Sequence, residues 1–126
     1  LPIATIRPFN TFGPRQSNRA VIPTIILQAL TRKQVALGVL HPTRDFTYVE
    51  DTVSAFIAVA ESASAAGQIV NVGSGREISI EDLAKTIIGL IGHDVELIED
   101  SRRVRPPDSE VNRLISDNSR AKMLNH

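Results

Sequence analysis

The stretch Asp45-Phe46-Thr47-Tyr48-Val49-Glu50-Asp51-Thr52-Val53-Ser54-Ala55-Phe56-Ile57-Ala58-Val59-Ala60 changes its apolar period partway along. Asp45 to Val49 reads as a short strand. From Glu50 onward Val53, Phe56, Ile57 and Ala60 fall on one helical face, and Glu50 and Asp51 suit the electropositive start of that helix. The helix is expected to end near Ala66-Gly67, and Gln68 to Val72 then reads as a strand running into Gly73-Ser74-Gly75. Strand, helix and strand in succession place the chain among α/β or α+β folds.

Reading outward gives the rest of the order. Leu1 to Phe9 is a near-continuous apolar run, expected to be a buried strand. Asn10 to Ala20, rich in Gly, Pro, Asn, Arg and Ser, is expected to be a loop. Val21, Ile22, Ile25, Ile26 and Leu30 form a helical stripe over Val21 to Lys33, with Pro23 tolerable in the first turn. Val35 to Leu40 is a strand, followed by a turn at His41-Pro42-Thr43-Arg44. Ser79-Ile80-Glu81-Asp82 opens a helix through Ile91 that Gly92 stops. Val95 to Ile98 is a strand, Ser101 to Asp108 a charged loop, and Asp117 caps a short last helix through Leu124.

The composition narrows the function classes. The 126 residues are enough for one core, and 42% hydrophobic with 22% charged residues is globular composition. Fourteen basic residues balance fourteen acidic ones, which argues against a broad nucleic-acid or membrane-binding surface. There is no cysteine, hence no disulfide framework and no thiolate chemistry. No apolar run reaches membrane-spanning length and the amino terminus does not resemble a signal peptide, so a cytoplasmic protein is expected. Of the basic residues only Lys33, Lys85 and Lys122 are lysines. That bias toward Arg is what planar contacts to phosphate or carboxylate favour.

No catalytic constellation emerges from the residues alone. Gly73-Ser74-Gly75 follows a strand, but the third position of a dinucleotide fingerprint is Ile78 and the next helix begins too late to meet a pyrophosphate. Turn glycines are the better reading. His41, His93 and His126 lack ligand spacing, so no metal site is expected. Asp51 reads as a helix-start carboxylate, and Asp45 as a partner for a neighbouring Arg.

Four blocks carry a stronger signal: Arg7-Pro8-Phe9-Asn10-Thr11-Phe12-Gly13-Pro14, Arg44-Asp45-Phe46-Thr47-Tyr48-Val49-Glu50-Asp51, Val70-Asn71-Val72-Gly73-Ser74-Gly75 and Arg102-Arg103-Val104-Arg105-Pro106. In order and spacing they resemble the carboxy-terminal half of the NAD-dependent epimerase/dehydratase family, the extended short-chain dehydrogenase/reductases that act on nucleotide sugars. The likeness is greatest to the sugar-nucleotide 4,6-dehydratases, with 4-epimerases and decarboxylases close behind. It implies an α/β substrate-binding lobe with a small mixed sheet and three to four helices. Residues 1–9 would be a leftover strand of the cofactor-binding Rossmann sheet, and residues 10–126 a nucleotide-sugar-binding domain truncated at its end.

The resemblance also implies roles. Asn10, Arg44, Asn71 and Arg105 would hold the substrate diphosphate, and Val21, Ile22 and Pro23 would lie along the nucleotide. Pro8 and Phe9 would meet the NAD cofactor in a full-length parent. In such a parent the sugar is oxidised at C4, water is eliminated across C5 and C6, and the hydride returns. The family's glycine-rich loop and Tyr-x-x-x-Lys pair have no counterpart here; Tyr48 is followed four residues on by Thr52. The chain is therefore expected to be a fragment that binds a nucleotide diphosphate sugar, binds no NAD alone and has no catalytic residue. A stand-alone binding or interaction module is the alternative from another class. A first strand without its sheet is further expected to drive homo-oligomerisation.

Charge-assisted contacts to a diphosphate contribute on the order of 1.5–3 kcal/mol each. Arg105→Ala should therefore weaken nucleoside diphosphate binding roughly ten- to a hundredfold in calorimetry, with a clear salt dependence. The same change at Arg120 is expected to do little.

Overall fold

The computed structural model describes residues 1–124; Asn125 and His126, the latter one of the histidines weighed as a metal ligand, lie outside the described residues. The chain forms β1 (Thr5–Pro8), β2 (Asn10–Phe12), α1 (Val21–Thr31), β3 (Gln34–Leu37), β4 (Thr43–Arg44), β5 (Phe46–Tyr48) and α2 (Val49–Glu61). Then follow β6 (Ile69–Val72), β7 (Ile78–Ser79), α3 (Ile80–Ile91), β8 (Glu96–Glu99), β9 (Arg113–Leu114) and α4 (Ser119–Leu124). This is a mixed α/β chain with small sheets, as the alternation of periods leads one to expect. Among the described residues no helix is long and apolar enough to cross a membrane.

The elements sort into two units, each assembled from separated segments. The first comprises residues 1–13, 44–77 and 114 onward; the second comprises residues 14–43 and 78–113. In the first unit β1 runs parallel to β6, Thr5 opposite Ile69 through Pro8 opposite Val72. Also there, β2 runs parallel to β5, Asn10 opposite Phe46 through Phe12 opposite Tyr48. Parallel neighbours need crossover connections, and α2 with its 3-10 turn at Ala63–Ala65 links β5 to β6. Val59, Ala65, Val70 and Val72 form the buried core of this unit, with Ala4, Ile6, Ala55, Ala121 and Leu124 packed against it.

The second unit is built the same way. β3 runs parallel to β8, Gln34 opposite Glu96 through Leu37 opposite Glu99. α1 packs on α3 and on β3, burying Ile25, Ala29, Val35, Leu37, Leu83, Ala84 and Ile87. The buried Gln28 is satisfied by the strand beside it: its Nε2 donates to Ala36 O at 3.2 Å and its Oε1 accepts from Ala36 N–H at 2.9 Å. Ser79 caps α3 by accepting the Asp82 N–H at 3.0 Å, and the helix closes at Gly92.

Several local expectations are corrected. Asn10 to Phe12 is a strand, not loop, because β5 supplies a ladder that a Gly/Pro-rich neighbourhood does not advertise. Thr43 and Arg44, expected in a turn, form β4. The second helix ends at Glu61, before the 3-10 turn, and the charged loop contains two 3-10 turns, Ser101–Arg103 and Pro107–Ser109. The first strand has a partner after all, and it is not buried: Thr5, Arg7 and Pro8 are exposed and only Ile6 turns toward the core, because its sheet has two strands only.

Ile25 is fully buried, so Ile25→Ala should cost about 2–5 kcal/mol. Leu90 is 83% exposed, and Leu90→Ala should change stability by less than about 0.5 kcal/mol. Urea denaturation of the two variants checks the contrast.

Candidate functional site

In the first unit the carboxylate of Asp45 is 0% exposed. Where its neighbours in sequence suggest an Arg partner, its hydrogen-bond donors come from a glycine turn and from Ser116. Its Oδ1 accepts the Ser74 N–H at 2.9 Å and the Ser74 hydroxyl. Its Oδ2 accepts the Gly75 N–H at 2.9 Å and the Ser116 N–H at 3.0 Å. Burial alone would push this carboxyl up. The Ser74 hydroxyl and the N–H groups of Ser116, Ser74 and Gly75 outweigh burial and hold it below the ordinary carboxylate range.

The glycine turn exists for this contact. A Cβ on Gly73 would collide with the Ser116 side chain and lie 2.8 Å from Asp45 Oδ2. Gly75 sits at φ +72, where a side chain is strained. The Asn118 amide covers the turn from the other side, its Nδ2 donating to Gly73 O at 2.9 Å. The turn amides that a dinucleotide pyrophosphate would require are thus already taken by Asp45. This turn does not fit the phosphates of NAD.

Three of the residues singled out in the sequence belong to the same unit as this clasp. Arg44, in β4, directly precedes Asp45 and is half-buried. Asn71, in β6, lies three residues before Ser74, and its Nδ2 donates to Asp117 O at 3.3 Å. Asn10 opens β2 and is exposed. It lines an open depression with Pro8, Phe9, Thr11 and Leu114. Asn71 lines a different depression, with Arg7, Ile69, Asp117, Ser119 and Arg120. Within it Arg120 Nη1 donates to Ile69 O at 3.1 Å. The Asp117 carboxyl is held below its usual range by the Ser119 contact first, with the charges of Arg120 and Lys122 adding to it. Arg120 is therefore a poor comparison variant for Arg105; Arg32, in the second unit beside the end of α1, is a cleaner one.

The remaining residues belong to the second unit. Val21, Ile22 and Pro23 make the half-buried first turn of α1, and Arg105 is exposed between the two 3-10 turns. Asp45 itself was missed as a clasp because its donors are 29, 30 and 71 residues away. The one available signal was the pairing of an Arg-Asp-aromatic strand with a Gly-Ser-Gly turn. Among the described residues no three His, Asp or Glu side chains gather.

Comparison with known proteins points in one direction. Residues 1–73 match the model of the NAD dependent epimerase/dehydratase family. The trifunctional UDP-glucose 4,6-dehydratase/UDP-4-keto-6-deoxy-D-glucose 3,5-epimerase/UDP-4-keto-L-rhamnose-reductase of Arabidopsis thaliana is 36% identical over 76% of this chain, which spans 14% of that protein. The UDP-glucose 4-epimerase of Mycolicibacterium smegmatis is 34% identical over 97% of this chain, which spans 39% of it. Among solved structures, an epimerase of Methanothermobacter thermautotrophicus superposes with a TM-score of 0.87 at 30% identity, covering 98% of this chain and 37% of its own. The chain thus spans well under half the length of these relatives.

Asp45→Asn leaves one or more of the clasp N–H groups facing an NH2, which should cost on the order of 3 kcal/mol. The folded-state pKa of Asp45 is lowered, so its contribution is fully present above the ordinary carboxylate value of about 4 and is lost as pH falls through the folded-state value. Denaturation midpoints measured from pH 7 down to pH 2 should fall for the wild-type protein by more than for Asp45→Asn.

Proposed function

Because the chain belongs to the NAD-dependent epimerase/dehydratase family, we propose that it is the nucleotide-sugar-binding part of a sugar-nucleotide 4,6-dehydratase. The observation that carries the reading is a set of three diphosphate-suited groups on strands of one unit: Asn10, Arg44 and Asn71. An amide donor and a guanidinium fork recognise phosphate oxygens through charge-assisted hydrogen bonds. In the second unit, the family resemblance assigns Arg105 to a diphosphate and Val21, Ile22 and Pro23, in the first turn of α1, to the nucleotide. Pro8 and Phe9 would face the cofactor of a full-length parent.

In this reading the chain contributes binding and orientation of the substrate and no proton or hydride transfer. NAD is the family's cofactor, and hydride exchange with the sugar is the chemistry it supplies when bound. The alignment of nearly the whole chain with a UDP-glucose 4-epimerase favours 4-epimerisation as the second reading. A cytoplasmic location and self-association through Leu1 to Phe9, whose outer edge has no strand beside it among the described residues, complete the proposal.

Calorimetry tests it. The chain should bind UDP, dTDP or GDP weakly, with affinity that falls as salt rises, and should not bind NAD at micromolar concentration. Micromolar NAD binding, or no nucleoside diphosphate binding at all, would sink the reading. Light scattering on the same samples should give a mass above 13.7 kDa.

A further inference from the structure

Resting on the diphosphate reading above, we propose that Asp45 is a positioning residue whose carboxylate sets the orientation of Arg44 and Asn71. The geometry runs through three segments. Asp45 is joined to Arg44 by a single peptide bond, so fixing the Asp45 side chain fixes the strand direction on which Arg44 projects. Ser74 and Gly75, held by both carboxylate oxygens, follow Asn71 by only a few residues and terminate the strand that carries it. Ser116, held by Oδ2, precedes Asp117, and the Asp117 carbonyl is the acceptor that orients the Asn71 amide. One buried anion therefore governs both polar groups, to Arg44 through the chain and to Asn71 through a neighbour's carbonyl. The donors on the carboxylate are groups of Ser74, Gly75 and Ser116, so the effect on Arg44 and Asn71 is one of placement.

The carboxylate is suited to this role in a way an amide is not. Each of its oxygens accepts two donors, while an Asn offers one accepting oxygen and turns its NH2 toward backbone N–H groups. In the full chain, Asp45→Asn should lower UDP, dTDP or GDP affinity at least tenfold and shift the Asn71 side-chain amide resonances in 1H–15N spectra. Ser74→Ala, which removes the hydroxyl contact to Oδ1 together with that hydroxyl's contacts to the Arg76 backbone and leaves the three N–H donors in place, should do the same more mildly, by about threefold, and it decides the matter if Asp45→Asn fails to fold. Val59→Ala serves as the comparison: it loosens the core of the same unit without touching the carboxylate, and should keep the wild-type affinity and the Asn71 resonances. Equal losses in Val59→Ala and the clasp variants would reduce Asp45 to a structural group and overturn the proposal. So would a folded clasp variant with unchanged Asn71 resonances. If no nucleoside diphosphate binds the wild-type chain, the diphosphate reading fails by itself, and the Asn71 resonances alone decide whether Asp45 positions that side chain.

Discussion

A buried charge has to be surrounded by donors, and in this chain that requirement organises the first unit. Asp45 has no solvent exposure and no cation against it among its hydrogen-bond partners, so its charge is carried by four N–H and O–H groups. Those donors come from the glycine turn after β6 and from the segment leading into α4. The turn must carry glycine at 73 to let Ser116 approach, and the approach of Ser116 is what brings Asp117 within reach of Asn71. The apolar core of Val59, Ala65, Val70 and Val72 brings these segments into the same unit. The carboxylate then selects one register among the packings that such a small core permits.

The two units solve the same problem with different polar devices. In the second, a neutral amide does the work: Gln28 pairs with both backbone groups of Ala36 and so fastens α1 to β3. His93 adds a second tie, its Nε2 lying 2.7 Å from the carbonyl of Ala29 near the end of α1. In the first, an anion fastens segments that lie far apart in sequence. The Gln28 amide has no proton to gain in mild acid, whereas the Asp45 carboxylate does, so the two fastenings differ in what loosens them.

Helices were legible in the sequence because their signals are local. The apolar stripe, Ser79 at the cap and Gly92 at the close mark α3 within a dozen residues of one another, and the structure keeps all three. The strands β2 and β4 were not legible, because strands of two or three residues gain their identity from partners far along the chain. Asp45 was misread for the same reason. Its nearest charged neighbour in sequence is Arg44, yet the groups that satisfy it are supplied by tertiary structure. The family-like blocks at Arg7 to Pro14, Arg44 to Asp51 and Val70 to Gly75 were visible as strings. What they have in common is that each contributes a strand or a turn to one unit.

The discontinuity of the first unit has a consequence for how the chain is made. β1 must wait for β6 to be synthesised before its ladder can form, a separation of more than sixty residues from Thr5 to Ile69. The carboxylate of Asp45 waits longer, since its last donor stands 71 residues downstream. Closing such long loops costs entropy before any contact repays it, and folds of this kind assemble slowly. At ribosomal speeds of roughly 5–20 residues per second, the clasp stays open for several seconds after Asp45 is added to the chain. For the first part of that interval, until Val72 has been added, β1 lacks the β6 ladder as well. The ladder of the first unit can thus form before its clasp, which closes only once residue 116 has emerged.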